Sequence, residues 1–156
     1  MEQLFVPNYA GAEFWESEST VFGVWIGIND VGNSFWSGAD ANEVLYGQIF
    51  EVYKGLLEQL YESGARNFVL LNVPPIQRSP LTLGQGDEAV ALETAALEMF
   101  NGMVQGLAGD VKAHKGVNVW LYDSYAAFDE VLDDPASHPQ TEGYKDVTTF
   151  CEEYQK

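Results

Sequence analysis

The sequence predicts an α/β fold in which three parallel strands, lying in chain order, are joined by crossover helices. Three observations predict it. Short apolar runs rich in β-branched and aromatic residues fall at 21–28, 67–73 and 117–122, each closed by turn residues. Amphipathic stretches separate them. The connections are long enough for the crossovers that parallel pairs require. At 156 residues, 46% apolar and 20% charged, the chain has the length of one domain and can bury a core.

Residues 1–20 contain aromatics, Pro7 and Gly11 but no long amphipathic pattern, and predict a short helix or an irregular approach. In VFGVWIGIND, Val21 to Ile28 carry no charge, amide, hydroxyl or carboxyl; only the Trp25 indole can hydrogen-bond. Such a run predicts a strand buried on both faces, as in sheets covered by helices. It stops at Asn29-Asp30, followed by Gly32 and Asn33. Ligands of open α/β sheets bind beyond the carboxyl ends of the strands, which places Asn29 and Asp30 where chemistry is done. The same short polar residues also build ordinary turns by bonding their own backbone.

Val31–Ala39 predicts a loop bearing Phe35 and Trp36, aromatics that suit stacking on a sugar ring and suit packing lids equally well. Asp40 and Glu43 form an Asp-x-x-Glu helix start close to a capping box. Leu45, Ile49, Val52, Tyr53, Leu56 and Leu60 form the helical stripe, and Gly64 is the expected C-cap. The second strand, Asn67–Val73, ends at Pro74-Pro75, which cannot continue a ladder.

Gln77–Gly86 predicts a polar loop. Asp87 caps a long helix to about His114, with a stripe of Val90, Ala91, Leu97, Phe100, Val104, Leu107 and Val111, and with Met99 and Met103 as core filler. Gly102, Gly106 and Gly109 weaken that helix by about 1 kcal/mol each if they lie inside it. Gly116 ends it and Val117–Tyr122 is the third strand. Asp123-Ser124 caps a helix over Tyr125–Leu132, which Asp134-Pro135 breaks. The tail from Ala136 to Lys156 is polar and turn-rich.

Seven basic against 24 acidic residues leave a net charge of −17, which repels nucleic acid and anionic membranes. No apolar run is long enough to span a bilayer. The first residues, with Glu2, Pro7, Glu13, Glu16 and Glu18 and no basic start, do not match a signal peptide. Cys151 is the lone cysteine, so no intrachain disulfide exists. No G-x-G-x-x-G or P-loop follows a strand, which argues against a nucleotide-binding domain.

Three strands laid side by side in order put both crossover helices on one face of the sheet. Yet the first two strands are expected to be buried on both faces, and nothing in residues 1–20 suits the other face. Either a partner supplies that cover or the chain is part of a larger domain.

Gly27–Asp30 (GIND), after a buried strand, resembles the G-x-N-D block of the SGNH/GDSL ester hydrolases. WIGIND (Trp25–Asp30), LNVPPIQRSP (Leu71–Pro80), VWLYDSYAAFDEVLDDP (Val119–Pro135) and GYKDVTTFC (Gly143–Cys151) are similar to successive segments of fungal GDSL esterases, in particular acetylesterases of carbohydrate esterase family sixteen. The resemblance implies a flavodoxin-like, three-layer SGNH fold of which residues 1–156 form a single, incomplete domain. It implies cleavage of acetyl esters of small molecules or oligosaccharides through a serine acyl-enzyme, with no metal or organic cofactor. No partner protein is implied beyond the missing part of the domain. Asn29 would be an oxyanion-hole donor, a role worth roughly 3–4 kcal/mol, and Gly27, Asp30 and Trp36 would bind substrate. An extracellular parent, with Cys151 in a disulfide there, is expected for the family.

Other family blocks are not found: no G-D-S occurs, and Asp133 and Asp134 precede His138 by five and four residues, not as D-x-x-H. His138 also precedes GYKDVTTFC, whereas the family's catalytic histidine follows it. His138 is therefore expected to be a loop histidine and His114 a helix-end one. Ser34, Ser37, Ser79 and Ser124 lie near strand ends without a histidine nearby in sequence. The chain alone is expected to be inactive. The alternative function is a non-catalytic carbohydrate-binding or interaction module, supported by Phe35, Trp36 and Tyr46 near the presumed cleft.

Overall fold

The computed structural model describes residues 5–10, 15–151 and 153. The elements in order are α1 (Phe5–Tyr9), β1 (Val21–Trp25), α2 (Ile28–Ser34), α3 (Ala39–Glu62), β2 (Asn67–Leu71), α4 (Pro80–Leu83), α5 (Asp87–Lys112), β3 (Asn118–Tyr122) and α6 (Ser124–Asp133). The sheet is parallel throughout, in the order β1-β2-β3, with Val21 level with Asn67 and Asn118, and Trp25 with Leu71 and Tyr122. The predicted fold class and strand order are therefore observed. Part of the approach over 1–20 lies outside the described residues; within them, Phe5 packs edge-on against Phe22 at 5.9 Å.

One face of the sheet carries the core. Phe68 and Leu70 of β2 are fully buried beneath α3 and α5, with Phe22, Val24 and Val119 beside them. Burying side chains of this size stabilises by about 1.5–3 kcal/mol each. The α5 contribution, Ala89, Ala96, Leu97, Phe100, Val104, Leu107, Ala108 and Val111, keeps helical spacing. Phe100 receives both Tyr46 and Phe50 of α3 edge-on, at 5.2 and 4.9 Å between ring centroids.

The opposite face is open. Its rows are Val21-Asn67-Asn118, Gly23-Val69-Trp120 and Trp25-Leu71-Tyr122. Val21, Trp25, Trp120 and Tyr122 are 53%, 48%, 52% and 52% exposed. The expectation that β1 and β2 are buried on both faces is thus corrected, Val69 and Leu71 of β2 being only half-buried on this one: both long helices lie on one side, as the crossover rule requires, and none of the described residues forms a layer on the other. The strand is also shorter than 21–28, because Ile26 and Gly27 leave the ladder to turn into α2.

Several local expectations shift. The buried stripe of α3 is Tyr46, Phe50, Tyr53, Leu57 and Leu60, while Leu45 and Val52 are exposed. Of the predicted stripe, Tyr53 and Leu60 are buried and Ile49 and Leu56 half-buried; Leu45 and Val52 fall outside it because α3 is apolar on more than one side. Its N-cap is Gly38, so Asp40 and Glu43 lie inside the first turns and make no capping box. Gly64 closes α3 with φ +105°: its N–H donates to Tyr61 O and that of Ala65 to Leu60 O, the paired bonds of a Schellman ending. Asp87 is the first residue of α5, with Gly86 as N-cap, and Ala91 is exposed. The predicted loop 77–86 holds the end of a 3₁₀ turn over Ile76–Arg78 and then α4, which Pro80 starts and Ser79 caps.

Gly102 and Gly109 lie inside α5 on its exposed side, and a Cβ at either would meet nothing within 4 Å. Replacing each by alanine is expected to raise stability by about 0.5–1 kcal/mol. Urea unfolding midpoints of the single variants check this; a lowered midpoint would contradict the packing described.

Candidate active site

The site is built on the turn from β1 into α2. Gly27 adopts φ +115° and lies buried, and a Cβ there would stand 2.4 Å from Phe100 Cε1 and 2.8 Å from Val73 Cγ2. Glycine is therefore required twice, by backbone conformation and by close approach. Val31 N–H donates to Gly27 O at 2.9 Å, opening α2, and Val31 is fully buried. At the far end of α2, the Ser34 hydroxyl donates to Asp30 O at 2.6 Å and pairs with Tyr46 Oη at 2.9 Å. The helix is thus pinned at both ends.

Asn29 lies exposed in the first turn of α2, and among the described residues no hydrogen bond engages its amide. The simple turn alternative, an Asn bonded to its own backbone, is not adopted. Asp30 follows, half-buried, with its backbone carbonyl held by Ser34. Gly27 is covered by Phe100. Trp36 is 54% exposed, with its ring centroid 4.5 Å from that of Phe35. Of the three aromatics expected near the cleft, only Trp36 is free: Phe35 and Tyr46 are buried, because α2 and its following 3₁₀ turn fold onto α5 and α3.

Asn29 and Trp36 line one cavity of about 310 Å³, together with Ile28, Ile76, Ser79 and Glu93. Its far wall is the 74–83 segment, which is fastened on several sides. Gln77 Nε2 donates to Tyr125 Oη at 2.6 Å, and Arg78 pairs with Asp129 at 2.6 Å and Asp133 at 2.7 Å on α6. Behind it, Asn72 gathers the carboxyl ends of all three strands. Its carbonyl accepts from Trp25 Nε1 at 3.1 Å and from the Ser124 hydroxyl, and its side chain bonds Asp123 at 2.8 Å and Tyr125 N–H at 3.0 Å. Ser124 is consumed by this packing.

Glu93, 2% exposed, is the buried carboxyl of the site. Its Oε2 accepts from Thr82 Oγ1 at 2.6 Å, and Thr82 Oγ1 lies 3.2 Å from Ser79 Oγ. Burial pushes the Glu93 carboxyl up from the ordinary glutamate value, with the Thr82 hydrogen bond opposing in part. Sequence reasoning passed over Glu93, although the signal was there: it falls four residues after Ala89 and seven before Phe100, in phase with the buried stripe of α5.

Among the described residues no serine hydroxyl is hydrogen-bonded to a histidine. His138 lies exposed, 3.4 Å from Glu130, and His114 stacks near Tyr61 at the end of α5, as expected of loop and helix-end histidines. Cys151 is a free, exposed thiol here. No group of three or more potential metal ligands occurs among the described residues.

Because Glu93 binds its proton more tightly in the folded state, the stability that protonation contributes is complete below the unfolded pKa and is lost as pH rises through the folded one. Glu93→Gln is therefore expected to gain thermal midpoint relative to the native chain as pH rises through that window, with a constant difference above it. Melting both proteins from about pH 4 to about pH 8 checks this; a difference that does not vary with pH would contradict a buried, pKa-raised carboxyl.

The family model described as GDSL-like Lipase/Acylhydrolase matches residues 16–149. The chain is 39% identical over 150 residues to an acetylesterase of Thermothelomyces thermophilus, covering 92% of this chain and 45% of that protein. It is 24% identical over 161 residues to a GDSL esterase/lipase of Arabidopsis thaliana, covering 96% of this chain and 43% of the relative. It is 27% identical over 128 residues to the thermolabile hemolysin of Vibrio parahaemolyticus, covering 81% and 28%. The chain spans less than half the length of each of these relatives.

Proposed function

The chain belongs to the GDSL-like lipase/acylhydrolase family, and on that premise we propose that it forms the oxyanion-donor and substrate-binding part of an ester hydrolase acting on acetyl esters of carbohydrates. The observation that carries this reading is Asn29: an unengaged amide on a pinned helix, lining the cavity at the carboxyl edge of a parallel sheet. An uncharged N–H there can be aimed at the oxygen of a developing tetrahedral intermediate without an ion to desolvate, and its fixed backbone avoids reorganisation as the charge forms. The acetyl preference is supported by the identity to the fungal acetylesterase, and the carbohydrate preference by the exposed Trp36 beside the cavity.

In this reading residues 1–156 make up part of one domain, and the nucleophilic serine with its histidine and aspartate comes from outside them. Support comes from the open apolar face of the sheet, the share of the relatives that the chain spans, and the described serines, none of which is paired with a histidine. The chain by itself is then expected to show no turnover of p-nitrophenyl acetate that a serine-directed fluorophosphonate abolishes. The alternative, a non-catalytic carbohydrate-binding module, also rests on Trp36, and it predicts no turnover in the longer protein either.

In a longer, active protein, Asn29→Ala is expected to lower kcat by about 10²–10³-fold with a smaller change in substrate binding, because the donor meets charge only in the transition state. Asn29→Asp separates catalysis from structure. A carboxylate in the first turn of α2 suits the helix dipole and costs no stability, but it repels an oxyanion. A large loss of kcat at an unchanged thermal midpoint is expected; near-normal kcat would remove the oxyanion assignment.

A further inference from the structure

We infer that the cavity beside Asn29 is the subsite for the hydroxylated alcohol part of the ester, with Glu93 accepting a hydrogen bond from a ring hydroxyl and Gly32 keeping the floor open. The inference rests on the esterase reading above and adds to it the residues that choose the alcohol. At about 310 Å³ the cavity falls at the small end of ligand-pocket sizes and is far larger than an acetyl group needs. Its walls are apolar at Ile28, Phe35 and Ile76, and its mouth carries the exposed Trp36 ring. An apolar wall, one aromatic platform and a few fixed polar groups suit a sugar ring, which has an apolar face and polar edges.

Glu93 supplies the discrimination. Thr82 holds its Oε2, and among the described residues no hydrogen bond reaches Oε1, which points toward Gly32. A buried carboxyl with a spare acceptor is satisfied by a hydroxyl donor and left unpaired by an alkyl group. A site of this kind rejects an analogue that lacks the hydroxyl more strongly than an apolar pocket rejects a change of size.

Gly32 points the same way. It sits inside α2 without a positive φ, where alanine is the better helix former. A Cβ would reach Ile76 Cδ1 at 3.8 Å and Glu93 Oε1 at 4.0 Å, ordinary contact with no clash. Neither backbone conformation nor packing requires a glycine there. What it preserves is the space between Ile76 and the free oxygen of Glu93.

The test is an ¹⁵N–¹H NMR titration of the 156-residue chain with a mono-O-acetylated xylobiose and, as the hydroxyl-free comparison, ethyl acetate. The expected result is saturable shifts of the Trp36 indole and the Gly32 and Thr82 amides with the acetylated sugar, and none that saturate with ethyl acetate. Glu93→Gln should raise Kd about tenfold, the difference between a charge-assisted and a neutral hydrogen bond. Gly32→Ala should raise it at least as much, at an unchanged or higher thermal midpoint. An unchanged Kd in either variant, shifts that avoid these three residues, or no sugar binding at all would overturn the inference. Its failure is distinct from failure of the esterase reading, which depends on the turnover of Asn29 variants and not on this titration.

Discussion

The approach of Gly27 to Phe100 sets the site. A parallel strand that ends in a tight turn can place the following helix in many orientations. Here the backbone of Gly27 rests against the Phe100 ring at a separation that no side chain permits. Phe100 is itself fixed between Tyr46 and Phe50 of α3. Seven residues earlier on α5, about 10 Å along the helix, Glu93 faces Gly32. The glycine before α2 and the one inside it therefore lie over two residues on one stripe of α5. Between these contacts the exposed side of α2 can carry only what its sequence puts there, and the first polar residue is Asn29.

Hydrogen bonds as well as apolar burial hold the carboxyl edge. Asn72 ties together the ends of β1, β2 and β3, and the Arg78 and Gln77 side chains fasten the cavity wall to α6. Glu93 works the other way. Placing a carboxyl on the buried stripe of α5 costs stability that an apolar residue in the same position would not, and a single hydroxyl from Thr82 offsets it only in part. A destabilising group held beside a cavity, in an otherwise apolar stripe, is the kind of local conflict found where function outweighs folding.

Strand number, order and direction were legible because they depend on pattern and connection length, which tertiary contacts do not alter. The α3 stripe was legible only in part: Tyr53 and Leu60 were placed on it, Leu45 and Val52 wrongly so. Leu45 and Val52 offer a second apolar side, and the side that turns inward is the one whose Tyr46 and Phe50 meet Phe100 of α5 edge-on. β1 misled for another reason: a run without polar side chains is the same whether a layer covers it or not, and Ile26-Gly27-Ile28 continues that run through the turn. Asn29 could be placed at a strand end from the sequence. That its amide is unengaged, and that it shares a cavity with Glu93 sixty-four residues on, depends on how α2 is laid over α5.

The open face of the sheet bears on the same site. Val21, Trp25, Val69, Leu71, Trp120 and Tyr122 form a continuous apolar surface on a chain of net charge −17. An exposed apolar patch of this kind suits contact with another apolar layer. Its last row, Trp25-Leu71-Tyr122, lies at the carboxyl edge, and the Trp25 indole donates to Asn72, the residue that gathers the strand ends. Any layer packed on this face therefore bears directly on the support behind Asn29. Under the proposed reading the same layer brings the nucleophile to that edge, so closing the core and completing the catalytic group become one event. The division is physically reasonable: Asn29, the proposed oxyanion donor, is held by contacts internal to these residues, which would let it be preorganised before the reacting groups arrive.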